Sequence, residues 1–156
     1  TDALLLLSRE EREIGSSKAV CQLNNLIPRI VDDQQITSAQ YILKLQVTDD
    51  PPARVSAPDS MVTMVVSNVI RNALQHSAGQ PVECVLQGSE FSVTNQGQID
   101  DEQLNHIFKR GYTTRSGGHG MGLYLAKRIC DRYGWNISVR NKPNCVDAHI
   151  SFTPQV

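Results

Sequence analysis

Two hydrophobic periods alternate along the chain, and their order limits the folds available to it. Apolar residues that recur every three or four positions predict helices, whereas alternating apolar and polar residues predict strands. Helices are predicted over 20–31, 58–76, 101–108 and 121–133, and strands over 41–47, 53–56, 82–86, 91–94, 136–140 and 148–152. Segment 53–56 is expected to return against 41–47 as a hairpin. The pattern predicts an α+β fold: a two-layer α/β sandwich with helices on one face of a mixed, mainly antiparallel sheet.

The charge balance and cysteine spacing exclude several classes of protein. The 156 residues carry 15 basic and 16 acidic side chains, for a net charge of −1, so no basic field for nucleic acid is present. The longest apolar run, 3–7, is too short to cross a bilayer. The four cysteines form no CxxC pair, which argues against zinc and disulfide frameworks and favours reduced thiols.

A long polar connection follows the second predicted hairpin and ends in glycines directly at a helix start. Connections of about 25 residues within a compact domain are usually lids, binding loops or disordered. The glycines over 117–122 let an anion approach the free N–H groups of a helix N-terminus, which carry partial positive charge. Short glycine patterns also arise by chance. The segment therefore fits either a phosphate-binding loop or a flexible loop that ends in a helix cap.

Amide side chains lie along one flank of the helix predicted over 58–76. Asn68 and Asn72 are separated by four residues, and Gln75 follows on the same side. These residues fit an exposed polar flank. They also fit the rim of a phosphate site, where Mg²⁺ takes a few oxygen ligands from protein and the rest from phosphate and water.

A further amide stands where a predicted strand ends. Asn95 follows the strand over 91–94, and Gly97 comes two positions later. Asn95 fits two roles, since asparagine forms turns readily and its side chain can also hydrogen-bond a flat polar ligand pressed against the strand end.

Four segments, taken in order, resemble the motifs of the ATP-binding domain of sensor histidine kinases, in the GHKL superfamily of Bergerat-fold ATPases. Residues 68–76 (NVIRNALQH) resemble the N box, and 94–99 (TNQGQI) the G1 box. Residues 107–115 (IFKRGYTTR) resemble the F box with its lid, and 118–123 (GHGMGL) the G2 box. The resemblance covers roughly 17–152, and four motifs in this order make it specific.

The resemblance implies a binding site for ATP and Mg²⁺. It implies that Asn72 coordinates the metal and that Asn68 lines the same site. It also implies that Asn95 contacts the adenine amino group and that Gly97 lets the base lie against the backbone. Phe108 is implied to hold down the lid over about 98–118, as its main apolar anchor, and the lid is expected to gain order when nucleotide binds. The other implied nucleotide-binding residues are Gln75, His76, Ile99, Thr113, Thr114, Arg115, Gly118, His119, Gly120, Met121, Gly122 and Leu123.

Two residues are implied to act in catalysis. Asn68 stands where hydrolysing members of the superfamily carry a glutamate, and an amide cannot act as a carboxylate base. The sequence therefore favours transfer of phosphate to another nucleophile over hydrolysis. Arg115 suits charge stabilisation on a transferring phosphoryl group, because its guanidinium is always charged and forked.

The resemblance also implies how the chain is divided and what it works with. Residues 1–14 resemble the end of the dimerisation domain that carries the phosphoacceptor histidine, and 15–156 form the ATP-binding catalytic domain. No histidine of the chain has the acceptor motif H-E-x-x-x-P, so the acceptor is expected upstream. The implied partners are the chain's own dimerisation domain, a second copy in a homodimer and a response regulator, without nucleic acid. The implied location is the cytoplasmic side of an inner-membrane sensor in a bacterium.

Departures from the family pattern leave rival hypotheses. Asn95 replaces the usual aspartate, Gln98 stands in a segment that lacks the second glycine, and Gln75 replaces a common lysine. These changes favour a regulatory pseudokinase with weak nucleotide binding as the alternative. A relative of the anti-sigma serine kinases is a third possibility, against which the leucine-rich start argues. Residues 144–147 replace a usual glycine turn, which is expected to lie far from the site.

Overall fold

The computed structural model describes residues 19–109 and 122–154. In chain order the elements are β1 (Cys21–Gln22), α1 (Leu23–Thr37), β2 (Leu43–Val47), β3 (Arg54–Val55), α2 (Asp59–Gln75), β4 (Val82–Gln87), β5 (Glu90–Gln96), α3 (Asp101–His106), α4 (Gly122–Tyr133), β6 (Asn136–Lys142) and β7 (Cys145–Ser151). Five strands form one sheet in the order β2-β4-β5-β7-β6. The β2–β4 pair is parallel and the other pairs are antiparallel, which confirms the predicted fold class.

The first predicted hairpin is wrong. Strand β3 pairs with β1 in a separate two-stranded sheet, where Val55 lies opposite Cys21, whereas β2 lies parallel to β4. Parallel strands need a long crossover, and α2 supplies it between β2 and β4. The consecutive prolines Pro51 and Pro52 fix extended backbone after β2, and the chain leaves the main sheet there.

Helix α1 starts later and runs further than its apolar period predicted. Its buried residues end at Val31, but the helix continues to Thr37 through a mainly polar extension, whose one apolar residue, Ile36, is exposed and adds no repeat to the apolar stripe. Gln35 in this extension holds the start of β2. Its side chain donates to the Tyr41 carbonyl at 2.7 Å and accepts from the Leu43 N–H at 2.7 Å.

Helix α2 lies at the centre of the helical layer. This position explains why so many of its residues are apolar. It packs between α1 and α4 and against β5 and β7, so most of its circumference is covered. Each fully buried aliphatic side chain contributes roughly 1.5–3 kcal/mol. Its buried apolar residues are Met61, Val62, Val65, Val66, Val69, Ile70, Ala73 and Leu74. The opposite face of the sheet carries polar and charged side chains, as one solvated face of an antiparallel sheet requires.

Candidate functional site

The polar residues of α2 lie on one side of the helix. With 3.6 residues per turn, Asn68, Arg71, Asn72 and Gln75 fall within a sector of roughly 100°, which we call the α2 flank. Asn68 is only 9% exposed, although amides are poor residues for a helix interior. Its Oδ1 accepts a hydrogen bond from Arg71 Nη2 at 2.5 Å. Because arginine has donors only, the amide oxygen must be the atom that faces Arg71.

The start of α4 lies against Asn68. A Cβ built on Gly122 would be 3.4 Å from Asn68 Oδ1, so the two helices approach closely at this point. Leu123 is buried in the core, at 7% exposure. The structure therefore brings together the described end of the glycine segment and the N-box helix, 54 positions apart in sequence.

The other two amides of the α2 flank have no partner within the described part of the chain. Asn72 is half-buried and Gln75 is exposed. Their side-chain atoms make no hydrogen bond to any described residue. Half-buried amides usually satisfy their donors and acceptors within the protein or with water, and Asn72 does not do so with any described residue.

At the end of β5, Asn95 connects the sheet to the end of α2. Its side chain is buried, at 4% exposure. Its Nδ2 donates to the carbonyl oxygens of His76 at 3.2 Å and of Gln96 at 3.1 Å. Both donors are thus engaged by backbone, while Oδ1 has no hydrogen-bond partner among the described residues. Asn95 is a strand residue with one open acceptor, and the turn-former interpretation is wrong.

The loop after β5 is fastened to the β6–β7 hairpin. Gln98 Nε2 donates to the carbonyls of Lys142 at 2.6 Å and Cys145 at 3.2 Å, as well as to its neighbour's carbonyl at 2.9 Å. The Gly97 N–H donates to the Asn144 carbonyl at 3.3 Å. The expectation that residues 144–147 lie far from the site is therefore wrong. The turn at 144 contacts the G1 segment directly, and the departure at Gln98 supplies the contact.

Asn141 of β6 adds a second fastening that the sequence did not indicate. Its Oδ1 accepts from the Ile99 N–H at 2.9 Å and its Nδ2 donates to the Ile99 carbonyl at 2.7 Å. One side chain thus pairs with the backbone as a neighbouring strand residue would. No local signal reveals this contact, because the partners are 42 positions apart. The first residues of the predicted lid, Gln98 and Ile99, are therefore hydrogen-bonded to the β6–β7 hairpin.

The predicted lid anchor is not the deepest one. Ile99 is 3% exposed and Ile107 is 6% exposed, whereas Phe108 is only partly buried against the core. The two isoleucines flank α3 and hold it on the domain. Phe108 packs against the core less deeply than either isoleucine, and its role as the main apolar anchor of the lid stays a prediction, because the lid continues beyond the described residues.

Several predicted residues lie outside the described residues. These are the end of the dimerisation domain at 1–14, and Thr113, Thr114, Arg115, Gly118, His119, Gly120 and Met121.

A cavity of about 460 Å³ lies beside the end of α2, within the range of small-molecule sites. Its lining includes two predicted nucleotide-binding residues, Gln75 and His76, with Tyr41 and Gln103. Asn68, Asn72 and Asn95 do not line it. The cavity therefore borders the predicted site without containing all of it.

Thiol and metal-cluster chemistry find no support in the described residues. Burial raises the pKa of Cys21, Cys84 and Cys130 to about 12 each, with the Asp59 carboxylate adding to the effect at Cys21. Neutral buried thiols are poor nucleophiles. Residues 19–109 and 122–154 contain no group of three His, Cys, Asp or Glu side chains placed to hold a metal ion. No helix in these ranges is both long enough and apolar enough to span a bilayer.

Comparison with known families identifies this arrangement. Residues 58–155 match the profile of the histidine kinase-, DNA gyrase B- and HSP90-like ATPases. The chain belongs to this family. The match includes the α2 flank, the end of β5 and α4, and it confirms the resemblance that the four motifs indicated.

Individual relatives narrow the family to its kinase branch. The sensor histidine kinase YkoH of Bacillus subtilis is 32% identical over 107 residues, which cover 62% of this chain and 23% of the relative. The sensor histidine kinase YcbM of the same organism is 27% identical over 156 residues, covering 90% of this chain and 49% of the relative. The chain thus spans between about a quarter and a half of these relatives' lengths.

Solved structures show the same fold. The mycobacterial sensor histidine kinase MprB superimposes with a TM-score of 0.73 at 22% identity, covering 88% of this chain and 99% of that one. The catalytic domain of histidine kinase ThkA gives 0.73 at 24% identity, covering 87% and 95%. Together with the family match and the relatives, this shared fold identifies the chain as an ATP-binding catalytic domain of the sensor histidine kinase type, and the pseudokinase alternative is not favoured.

Proposed function

We propose that this domain binds Mg²⁺-ATP between the α2 flank and the end of β5, and transfers the γ-phosphoryl group to a histidine. One observation carries the proposal: a single helix serves both ends of the site. Asn68 lies against the α4 N-terminus, and the His76 carbonyl is bonded to Asn95. Eight residues of helix separate them, about 12 Å, so phosphates and base have separate places along α2.

The base is proposed to lie at the end of β5. The open Oδ1 of Asn95 can accept from the adenine amino group. Gly97 has a φ of +110°, and a Cβ there would meet only the His76 carbonyl, at 3.9 Å, so the base can approach the backbone. His76 and Gln75 line the neighbouring cavity, and Ile99 completes the apolar side of the same loop.

The donor set of the α2 flank fits Mg²⁺. The ion prefers oxygen ligands, keeps several waters and is commonly held by one or two protein groups together with phosphates. Asn72 offers one half-buried amide oxygen without a protein partner among the described residues, so we assign the metal contact to it. When bound, the ion would neutralise phosphate charge. The protein's own part is to hold that amide on a helix, one turn after Asn68, which lies against the start of α4.

Transfer is favoured over hydrolysis by the state of Asn68. Its oxygen is engaged by Arg71, and an amide accepts no proton at neutral pH. The site therefore offers no general base at this position. Arg115, together with Thr113, Thr114 and the glycine segment 118–122, is proposed to contact the phosphates, with Arg115 stabilising charge during transfer.

The proposed acceptor and partners lie beyond the domain. We propose that 1–14 end a dimerisation domain whose histidine receives the phosphoryl group, that 15–156 form the catalytic domain, and that two copies act as a homodimer with a response regulator. The proposed location is the cytoplasmic side of a bacterial inner-membrane sensor. The relatives YkoH and YcbM are sensor histidine kinases, which supports these assignments.

Isothermal titration of the chain with a non-hydrolysable ATP analogue tests the proposal. We expect saturable binding with Mg²⁺ and weaker binding with a chelator. Steady-state phosphate release from ATP should be slow, because position 68 lacks a carboxylate. Absence of both heat and thermal stabilisation at millimolar analogue would instead support the regulatory hypothesis.

A further inference from the structure

Arg71 is a charged residue of the α2 flank to which the resemblance gives no role. It is exposed, yet one of its N–H groups is fixed on the buried Asn68 amide at 2.5 Å. Arginine has five N–H donors, and the remaining four make no hydrogen bond or ion pair with a described residue. The guanidinium is thus anchored at one edge with most of its donors open.

The described surroundings of Arg71 contain no compensating negative charge. No carboxylate among the described residues lies within ion-pair distance of its guanidinium, whereas Lys127 and Lys142 pair with Asp131 and Asp147. Within the α2 flank Arg71 alone is charged. Its anchor, Asn68, also lies against Gly122 at the start of α4, where a helix dipole adds partial positive charge. The guanidinium of Arg71 and the N-terminus of α4, both positive, therefore lie next to the same Asn68 side chain.

We propose that Arg71 is a second phosphate-contacting cation of the nucleotide site, in addition to Arg115. One N–H holds the guanidinium on Asn68, and its open donors bind phosphate oxygens placed between the α2 flank and the start of α4. This contact would make affinity depend on the number of phosphates in the ligand. The inference rests on the proposed ATP site and assigns part of its charge selectivity to Arg71.

The anchor also gives Arg71 a geometric advantage over an exposed lysine. A free surface side chain loses rotamer freedom when it binds, whereas the Asn68 hydrogen bond already restricts the guanidinium. The planar fork presents several donors in fixed directions, which suits phosphate oxygens. Arg71→Lys should therefore keep the charge but lose part of the affinity.

Titration calorimetry with the Mg²⁺-loaded ATP analogue, ADP and AMP tests the proposal on the whole chain. Arg71→Gln should weaken analogue binding roughly tenfold to hundredfold, the range for hydrogen bonds to charged groups, and weaken AMP much less. Arg71→Lys should fall between Arg71→Gln and wild type. The matched control is Arg54→Gln, which removes the same charge from β3, beside the β4–β5 turn at the other end of the sheet, and should leave all three affinities unchanged.

Each other outcome overturns the inference and says why. Equal losses for the analogue, ADP and AMP would mean that Arg71 acts only by holding Asn68 in place. Unchanged affinities in Arg71→Gln would show that Arg71 does not contact the phosphates, while leaving the proposed ATP site unaffected. Failure of the wild-type chain to bind the analogue would contradict both the proposed ATP site and the Arg71 contact. A thermal melt of each variant checks that it folds. Because Arg71 is exposed, we expect its variants to remain folded.

Discussion

The α2 flank and the loop at 95–99 are both rich in amides, but they use them in opposite ways. In the loop, Asn95 and Gln98 donate to backbone carbonyls, and Asn141 fastens the same loop from β6. On the flank, Asn72 and Gln75 have no hydrogen-bond partner among the described residues. The loop is therefore held by amide hydrogen bonds, whereas two of the three amides of the flank make none to a described residue.

This difference separates residues that look alike in the sequence. An engaged amide should affect stability when it is replaced, because its backbone partners lose a hydrogen bond. An open amide should affect binding and leave stability unchanged. Asn95 belongs to both classes, since its nitrogen is engaged and its oxygen is open.

Asn72→Ala should have the largest effect on binding. We expect Mg²⁺-dependent nucleotide binding to be abolished, because the proposed protein ligand of the metal is removed. The free energy of unfolding should stay the same or rise by up to roughly 0.5 kcal/mol, since alanine favours helix and no protein contact is lost. Calorimetric titration and urea unfolding measure the two quantities. Asn25→Ala, an exposed helical asparagine of α1, is the control. A large loss of stability would make Asn72 a packing residue.

Asn95→Asp should have the largest effect on stability, although it restores the residue usual in the family. A carboxylate cannot donate to the carbonyls of His76 and Gln96, and its charge would face both of them in a buried position. We expect a loss of about 2 kcal/mol or more at neutral pH, from two lost hydrogen bonds and a poorly solvated charge.

Asn95→Ala is the matched comparison, because it removes the donors without adding charge. It should lose less stability than Asn95→Asp in the same urea titration. If Asn95→Asp were as stable as wild type, the amide nitrogen would not be what holds the end of β5 to α2. The departure from the family pattern would then need another explanation.

Local contacts were predictable from the sequence, and contacts between distant segments were not. The β4–β5 and β6–β7 hairpins connect neighbouring segments, and helical spacing placed Asn68 and Asn72 on one flank. Strand β2 pairs with a strand that begins 35 residues after β2 ends, and its alternation says nothing about which neighbour it will have or in which direction. The first hairpin was therefore wrong although its strands exist.

The same limit applies to the candidate site. The motif at Asn95 indicated a ligand contact, but nothing local indicates that its nitrogen joins β5 to the last turn of α2. Asn141 meets Ile99 across 42 residues, so it resembles any other polar strand residue. Arg71 had a detectable signal, since it lies three residues after Asn68 and four before Gln75, within one sector of the helix.

Asn141→Ala should have an intermediate effect that tests whether the loop is fastened. Two hydrogen bonds to the Ile99 backbone are lost, and we expect the free energy of unfolding to fall by about 1–2 kcal/mol. Hydrogen exchange should show faster exchange of the Ile99 amide than in wild type. Asn136→Ala, at the exposed start of the same strand, is the control. Unchanged exchange at Ile99 would mean that burial of this residue alone holds the loop.

Gly122→Ala should have only a small effect on stability. It tests whether the phosphates bind between the α2 flank and the start of α4. The backbone at Gly122 is not left-handed, and the added Cβ would meet Asn68 Oδ1 at 3.4 Å, an ordinary contact distance. Stability should change by no more than about 0.5 kcal/mol, while affinity for the ATP analogue falls a few-fold, because the methyl group narrows the gap in which we place the phosphates. Gly134→Ala provides the contrast: its φ of +75° is left-handed, so this variant should lose about 1 kcal/mol with no change in binding. A large loss of stability in Gly122→Ala would make this glycine necessary for helix packing, and unchanged affinity would move the phosphates away from the α4 N-terminus.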